Sequence, residues 1–166
     1  MKKPPARYRG YSFVKQREDD EVPWFTISNL QEAVSILPRP IALINGAFDL
    51  LHSGHFKIIH AARDHAKTVI CALDSDEKIK QSKGVGRPIF TWSKRASSLN
   101  FLPIDCIVEI NTDREFIKLV NIIKPNFRVL GSEYLDHSTR IPEIPILFVP
   151  NRGLHTSDII QRCKAI

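Results

Sequence analysis

The sequence predicts an α/β fold in which a parallel sheet of five strands is covered by helices on both faces. Two observations carry this prediction. Short apolar runs recur along the chain, and most of the segments between them have the amphipathic pattern of helices. The chain has 166 residues, of which 43% are hydrophobic and 25% charged. It is therefore long enough for one domain with a sizeable core.

The expected elements alternate in type along the chain. The strands are expected at residues 41–45, 68–73, 105–110, 127–131 and 145–150. The helices are expected at residues 28–36, 53–66, 92–101, 113–124 and 157–163. Residues 74–91 are expected to form a polar, lysine-rich loop. In a Rossmann-like sheet of this kind, ligands bind beyond the carboxyl ends of the strands, at the point where the strand order reverses.

Helix starts and faces follow from local patterns. Ser28 is the expected N-cap of the first helix, and Glu32 lies early in it. The apolar face of the helix over residues 53–66 is expected to contain Phe56, Ile59 and Ala62. The apolar positions of the helix over residues 113–124 are Phe116, Ile117, Val120 and Ile123.

Residues 1–22 are polar and mixed in charge, and they predict a flexible basic arm before a domain at residues 23–166. Deleting residues 1–22 is expected to leave the melting temperature nearly unchanged, because a polar terminus that contains proline buries little apolar area. Thermal denaturation of the truncated and full chains measures this. A large drop would instead show that the arm is packed, for instance across a dimer interface.

Composition excludes several classes of protein. No apolar stretch approaches the length of a membrane span, and the N-terminus lacks the apolar segment of a signal peptide, so a cytoplasmic location is expected. Cys71, Cys106 and Cys163 are widely spaced and form no C-x-x-C pattern, so neither a zinc site nor a disulfide framework is predicted. The net charge of +6 suits either nucleic acid or a small phosphorylated substrate.

The segment NGAFDLLHSGH, residues 45–55, follows the first predicted strand and leads into a helix. The chain contains no G-x-x-x-x-G-K-[ST] sequence and no G-x-G-x-x-G sequence, so the usual nucleotide cradles are absent. What remains is a helix N-terminus, which favours phosphate, with His52 and His55 on one face. Gly54 has no Cβ and lets a ligand approach the backbone, while imidazoles can donate hydrogen bonds to phosphate oxygens.

These residues carry a family resemblance. GAFDLLHSGH resembles the signature of the cytidylyltransferase-like nucleotidyltransferases, the HxGH superfamily. Residues 75–95 are similar to the bacterial heptose-1-phosphate adenylyltransferases, whereas the glycerol-3-phosphate cytidylyltransferases have a shorter loop there. LGSEY (130–134) resembles the family's K-G-G-D-Y segment, and GLHTSDII (153–160) resembles G-x-S-T-T-x-I-I. The match covers about residues 28–163.

The resemblance implies a role for each matching residue. His52 and His55 would stabilise the triphosphate, Lys83 would reach the phosphates of either substrate, and Arg95 would hold the β- and γ-phosphates; these four form the catalytic set. The implied nucleotide-binding residues are Ala47, Phe48, His52, Gly54, His55, Gly131, Gly153, Leu154, His155, Thr156 and Ser157. The implied acceptor-binding residues are Asp49, Asp76, Lys80, Lys83, Arg87, Glu133 and Tyr134. Asp49 would fix the turn by accepting hydrogen bonds from backbone N–H groups, and Asp76 would contact the ribose or cap the loop.

The resemblance also implies a reaction in which a small phosphorylated acceptor attacks the α-phosphorus of a nucleoside triphosphate and pyrophosphate leaves. Mg²⁺ is implied on the triphosphate, held mainly by phosphate oxygens, since no cluster of protein carboxylates is evident and no metal-binding residue is predicted. ATP and a sugar 1-phosphate are the favoured substrates, and analogy suggests a homodimer. No membrane partner is expected, and no nucleic-acid motif is present.

Departures from the family pattern at Leu130, Glu133 and His155 leave the acceptor and the base open. Two alternatives follow. One is a cytidylyltransferase for glycerol 3-phosphate or another alcohol phosphate. The other is a module that binds a nucleotide without turnover.

Overall fold

A parallel sheet forms the centre of the computed structural model, which describes residues 24–25, 27, 30, 34–135, 144–150 and 156–164. The strands are β1 (Trp24–Phe25), β2 (Ile41–Gly46), β3 (Thr68–Asp74), β4 (Cys106–Ile110), β5 (Phe127–Gly131) and β6 (Ile146–Val149). Their order across the sheet is β1-β4-β3-β2-β5-β6, and every neighbouring pair is parallel. The predicted α/β fold and its five strands are confirmed, and β1 adds a two-residue edge strand that the sequence did not predict.

Five α-helices are described. They are α1 (Ser53–His65), α2 (Asp76–Lys83), α3 (Trp92–Leu99), α4 (Asp113–Ile123) and α5 (Thr156–Lys164). A turn of 3-10 helix over Ser132–Tyr134 follows β5. None of the helices in these ranges is long and apolar enough to cross a bilayer. The helix predicted over residues 28–36, with its cap at Ser28 and with Glu32, falls largely outside the described residues.

The two faces of the sheet bury separate cores because side chains alternate along each strand. From β2, Ala42 and Ile44 pack in one core together with residues of α1 and α3. Ile41 and Leu43 point the other way and pack in a second core together with α4. All four side chains are fully buried, so β2 is the central strand of both cores.

Three details differ from the sequence predictions. Residues 74–91 are not one loop, because α2 occupies Asp76–Lys83, with Ser75 as its N-cap. The buried face of α4 uses Leu119, while Ile117 is 52% exposed. Phe56, expected on the apolar face of α1, is 39% exposed.

The strand order reverses at β2, which pairs with β3 on one side and with β5 on the other. The chain reaches β3 and β4 first and returns to β5 only after α4. At such a switch point, the connections that follow the two neighbouring strands leave in opposite directions and open a crevice at the carboxyl ends of the strands. The segment after β2 therefore lies where this architecture binds ligands.

Candidate active site

The turn that leaves β2 has an unusual backbone. Gly46 has φ of +152°, and Phe48 has φ of +45°, in the left-handed region. Non-glycine residues adopt that region at an energetic cost, so the surrounding structure must hold Phe48 there. The Phe48 side chain is 4% exposed, and its ring lies 5.1 Å from the ring of His55. Burial of Phe48 thus fixes the course of the chain into α1.

The two histidines form a stacked pair at the start of α1. His52 is the N-cap, and its Nδ1 accepts a hydrogen bond of 3.2 Å from the N–H of Gly54. Because Nδ1 accepts this bond, we assign the proton of the neutral ring to Nε2. The centroids of the His52 and His55 rings are 3.9 Å apart. The helix N-terminus and these rings together present N–H donors suited to an anion.

A cavity of about 300 Å³ opens beside this pair. Its walls come from the β2–α1 turn, from the end of α2, from the segment after β5 and from the start of α5. The lining residues are Asn45, Gly46, Ala47, Phe48, Asp49, His52, Gly54, His55, Ile58, Lys83, Val129, Leu130, Gly131, Glu133, Tyr134, Thr156 and Ser157. This volume lies at the lower end of the range for small-molecule sites.

Asp49 holds the segment after α2 against the β2–α1 turn. Its carboxylate is 3% exposed and accepts hydrogen bonds from the backbone N–H groups of Ile89 and Phe90 at 2.9–3.0 Å. Arg87 adds an ion pair, with its Nη2 3.0 Å from the Asp49 carboxylate. Backbone N–H groups do bond to Asp49, as expected, but they belong to the 87–90 segment rather than to its own turn. Arg87 is thereby drawn toward Asp49 and does not line the cavity.

Arg95 lies behind the cavity wall with its side chain fully buried. Its Nη1 donates to the carbonyl of Ala47, and its Nε donates to the carbonyl of Phe90. Its Nη2 donates to the carbonyl of Asp74 and to the carboxylate of Asp76 at 2.7–2.8 Å. These bonds use four of the five guanidinium N–H groups. Arg95 therefore has too few free N–H groups for bidentate hydrogen bonding to a phosphate. This geometry favours a positioning role over phosphate binding.

Two cavity residues have altered titration. Much of Lys83 is exposed, yet partial burial of its ammonium, together with the nearby charge of Arg87, lowers the pKa of Lys83. Burial and the neighbouring Glu133 raise the pKa of Tyr134. Lys83 therefore loses its charge more easily than an ordinary lysine, whereas the Tyr134 hydroxyl keeps its proton more firmly.

The wall opposite the histidines is formed by the segment after β5 and by α5. The Glu133 side chain folds closely over Gly131, so a larger residue at position 131 would require the Glu133 carboxylate to move. The hydroxyl of Thr156 donates to the carbonyl of Leu50 at 3.3 Å, which ties the start of α5 to the β2–α1 turn. A second helix N-terminus thus faces the cavity.

The cavity brings together most of the residues that the sequence singled out. Among the described residues, the predicted ones that do not line it are Asp76, Lys80, Arg87 and Arg95. Asp76 pairs with Arg95 instead of contacting the cavity, and Lys80 is exposed on α2. Gly153, Leu154 and His155 lie outside the described residues. Sequence reasoning missed Asn45, although its place at the carboxyl end of a buried strand was a usable signal.

The chain is similar in sequence to a curated protein over most of its length. Bifunctional protein HldE of Campylobacter jejuni (strain RM1221) is 31% identical over 146 residues, covering 83% of this chain and 31% of the relative. The chain therefore spans less than a third of the length of this curated relative.

Two solved structures share the fold. The lipopolysaccharide core biosynthesis protein from Thermoplasma volcanium GSS1 has a TM-score of 0.56 and 18% identity, covering 68% of this chain and 98% of that one. Pantoate-beta-alanine ligase from Francisella tularensis has a TM-score of 0.59 and 14% identity, covering 86% of this chain and 77% of that one. At these identities, both comparisons support a shared fold and nothing further.

A family model described as cytidylyltransferase-like matches residues 43–162, which include the last four residues of β2 and every described residue that lines the cavity. The match contains both histidines of the stacked pair and the opposite wall of the cavity. It agrees with the resemblance of the segment around His52 and His55 to the HxGH signature. This chain therefore belongs to the cytidylyltransferase-like family of nucleotidyltransferases.

Proposed function

We propose that the chain transfers AMP from ATP to a sugar 1-phosphate and releases pyrophosphate. The observation that carries this proposal is the pair of His52 and His55 at the N-terminus of α1, open to a cavity of about 300 Å³. The similarity of residues 75–95 to heptose-1-phosphate adenylyltransferases, together with the relationship to HldE, supports a sugar phosphate as acceptor. The name of that relative marks it as bifunctional, and we propose that this chain corresponds to its nucleotidyltransferase part.

In the proposed reaction, a phosphate oxygen of the acceptor attacks the α-phosphorus of ATP. A P–O bond forms to the acceptor, the bond from the α-phosphorus to the bridging oxygen breaks, and pyrophosphate leaves with that electron pair. The Nε2–H of His52, the His55 ring and the N–H groups at the start of α1 donate to the phosphate oxygens on which charge develops. Lys83 adds a positive charge at the cavity. The rate then comes from positioning and charge stabilisation.

We propose that a Mg²⁺ ion is held mainly by the phosphates of the bound triphosphate. Within the described ranges, no group of three histidine, cysteine or carboxylate residues could hold a metal ion. The Asp49 carboxylate already bonds to Arg87, Ile89 and Phe90. Mg²⁺ is commonly bound by substrate phosphates with few protein ligands. When bound here, it would neutralise part of the charge on the triphosphate.

A pyrophosphate-release assay with four nucleoside triphosphates and a panel of sugar phosphates and alcohol phosphates tests the proposal. Release with ATP and a sugar 1-phosphate is the expected result. Release only with CTP and glycerol 3-phosphate would instead support the alternative cytidylyltransferase. Tight nucleotide binding without release from any combination would identify a binding module. A cytoplasmic location and a homodimer stay predictions.

We expect ATP to bind more tightly than CTP. The base is expected to contact residues near 130–134 and 153–157, where Leu130 and His155 depart from the family pattern. A mismatched buried donor or acceptor costs about 1–3 kcal/mol, which is roughly 5- to 150-fold in affinity. Calorimetric titration of both nucleotides with Mg²⁺ measures the difference. CTP binding ten times more tightly than ATP would overturn the adenylyl assignment and leave the transferase reaction standing.

We expect the alkaline limit of activity to depend on Lys83. An ammonium attracts phosphate only while protonated, so activity that needs Lys83 is present below its pKa and is lost as the pH rises through it. Because this pKa is lowered from 10.5, the loss comes at a lower pH than for an ordinary lysine. Lys83→Arg stays charged and should extend kcat/KM to higher pH in profiles between about pH 7 and pH 10. Lys80→Arg on the same helix is the control, and an unchanged alkaline limit in Lys83→Arg would contradict the role of Lys83.

A further inference from the structure

A buried arginine lies against a cavity residue that no role above includes. Asn45 is the second-last residue of β2 and lines the cavity. Arg128, on β5, is 1% exposed and donates from Nη2 to the Asn45 Oδ1 at 2.9 Å. The register pairs Arg128 with Leu43, two residues before Asn45. The Arg128 side chain therefore runs along the sheet toward the carboxyl ends of the strands, where the cavity lies.

The contact with Arg128 fixes the orientation of the Asn45 carboxamide. The two ends of an asparagine amide look alike in electron density, and their assignment must come from their partners. A guanidinium has donors only, so the atom that faces Arg128 must be the Oδ1 acceptor. The Nδ2 of Asn45, with its two N–H donors, is then directed away from Arg128, and Asn45 is one of the residues that line the cavity.

Asn45 and the histidine pair belong to opposite faces of the sheet. Asn45 continues the side-chain series of Ile41 and Leu43, which pack in the core shared with α4. The helix α1, which carries both histidines, packs on the face of Ala42 and Ile44. The Asn45 amide and the N-terminus of α1 therefore reach the shared cavity from different faces of the sheet.

The charge behind Asn45 favours an anion in front of it. The Arg128 guanidinium donates to Asn45 and lies 5.1 Å from the centroid of the Phe116 ring, so a cation lies directly behind the Asn45 amide. A hydrogen bond from a cation to the amide oxygen polarises the amide, and its N–H groups become stronger donors. Such donors suit a phosphate oxygen better than a neutral hydroxyl.

We infer that Asn45 binds a phosphate oxygen of the acceptor substrate through its Nδ2, and that Arg128 is the positioning residue that orients it. The inference rests on the proposed function for the identity of the acceptor. In this arrangement the Asn45 amide binds the acceptor that attacks, while His52 and His55 bind the nucleotide. Asn45 is then the residue that requires the acceptor to be phosphorylated.

The deciding variant is Asn45→Asp, because a carboxylate still accepts a hydrogen bond from Arg128 but has no N–H to donate. We expect its melting temperature to match or exceed that of the wild type, its KM for the acceptor to rise roughly tenfold or more, and its affinity for ATP to change much less. The matched control is Asn126→Asp, since the Asn126 Oδ1 also accepts from an arginine, Arg39, but outside the cavity. Unchanged acceptor KM, or equal losses for acceptor and ATP, would overturn the inference.

A direct measurement separates this inference from the proposed function. In protein saturated with Mg²⁺ and a non-hydrolysable ATP analogue, inorganic phosphate should shift the side-chain amide NMR signals of Asn45, assigned by their loss in Asn45→Asp. The Asn126 amide signals should stay in place. If the Asn45 signals do not shift when phosphate is added, the inference is overturned even if the protein turns over sugar phosphates. A shift without turnover of any sugar phosphate would overturn the proposed acceptor and leave the phosphate contact standing.

Discussion

Replacing His52 or His55 with alanine is expected to lower kcat by about 100-fold or more, because each change removes a donor to charge that develops in the transition state. The centroids of the two rings lie 3.9 Å apart at the start of α1, and both residues line the cavity. Steady-state kinetics with ATP and the best acceptor from the panel measure the effect. His60→Ala is the matched control, because His60 is exposed on the same helix and does not line the cavity.

His52 has a structural role that must be separated from its chemistry. Loss of the N-cap bond to Gly54 costs about 1 kcal/mol of stability. His52→Asn supplies a capping oxygen without an imidazole, so we expect nearly full stability and a kcat still far below that of the wild type. Thermal denaturation beside the kinetics checks both points. An unchanged kcat in both alanine variants would show that the reaction takes place elsewhere.

Arg95→Met is expected to destabilise the fold by about 3–5 kcal/mol, because it leaves several acceptors without their donor. For a chain of this size, the melting temperature would fall by roughly 6–20 °C. Activity should fall as well, since Arg95 ties Ala47 in the β2–α1 turn to Asp74 at the end of β3. Lys94→Met, at an exposed neighbouring position, is the control for stability.

Titration with ATP and with AMP distinguishes the two roles that Arg95 can have. A positioning residue affects both nucleotides alike, whereas a ligand of the β- and γ-phosphates affects ATP alone. We expect Arg95→Lys, which keeps the charge but has only three donors for four bonds, to weaken both nucleotides by similar factors. A stable variant that loses affinity for ATP only would restore the phosphate contact that the family resemblance implies.

The parallel sheet was predictable from the sequence because its central strands are buried on both faces and read as continuous apolar runs. The helix α2 was not predicted, although Ser75 before it and Gly84 after it are ordinary cap residues. The reason is burial: within α2 only Ile79 is buried, so no apolar periodicity is present. The helices α1, α3 and α4 bury an apolar face against the sheet, whereas α2 lies mostly at the surface.

In the candidate site too, some positions could be predicted from the sequence and others could not. His52, Gly54 and His55 are neighbours in sequence, so a local motif was enough to place them together at a helix end. The burial of Arg95 depends on acceptors from separate parts of the chain, and no local pattern reports such a network. The family resemblance implied a phosphate ligand for Arg95, whereas in the structure its guanidinium joins the β2–α1 turn, the end of β3 and Phe90.

The position of β2 between β3 and β5 has a consequence for the order in which the molecule assembles. The pairs β2–β3 and β3–β4 join strands that follow each other along the chain, whereas the Ile41 N–H bonds to Asn126, 85 residues away. Closing so long a segment costs more entropy, and distant pairings form slowly. We expect the half with the histidines to form first and the wall from β5 and α5 to arrive last. Nucleotide binding would then begin only at the final step of folding, so a ligand present during refolding would trap the completed molecule rather than guide its formation.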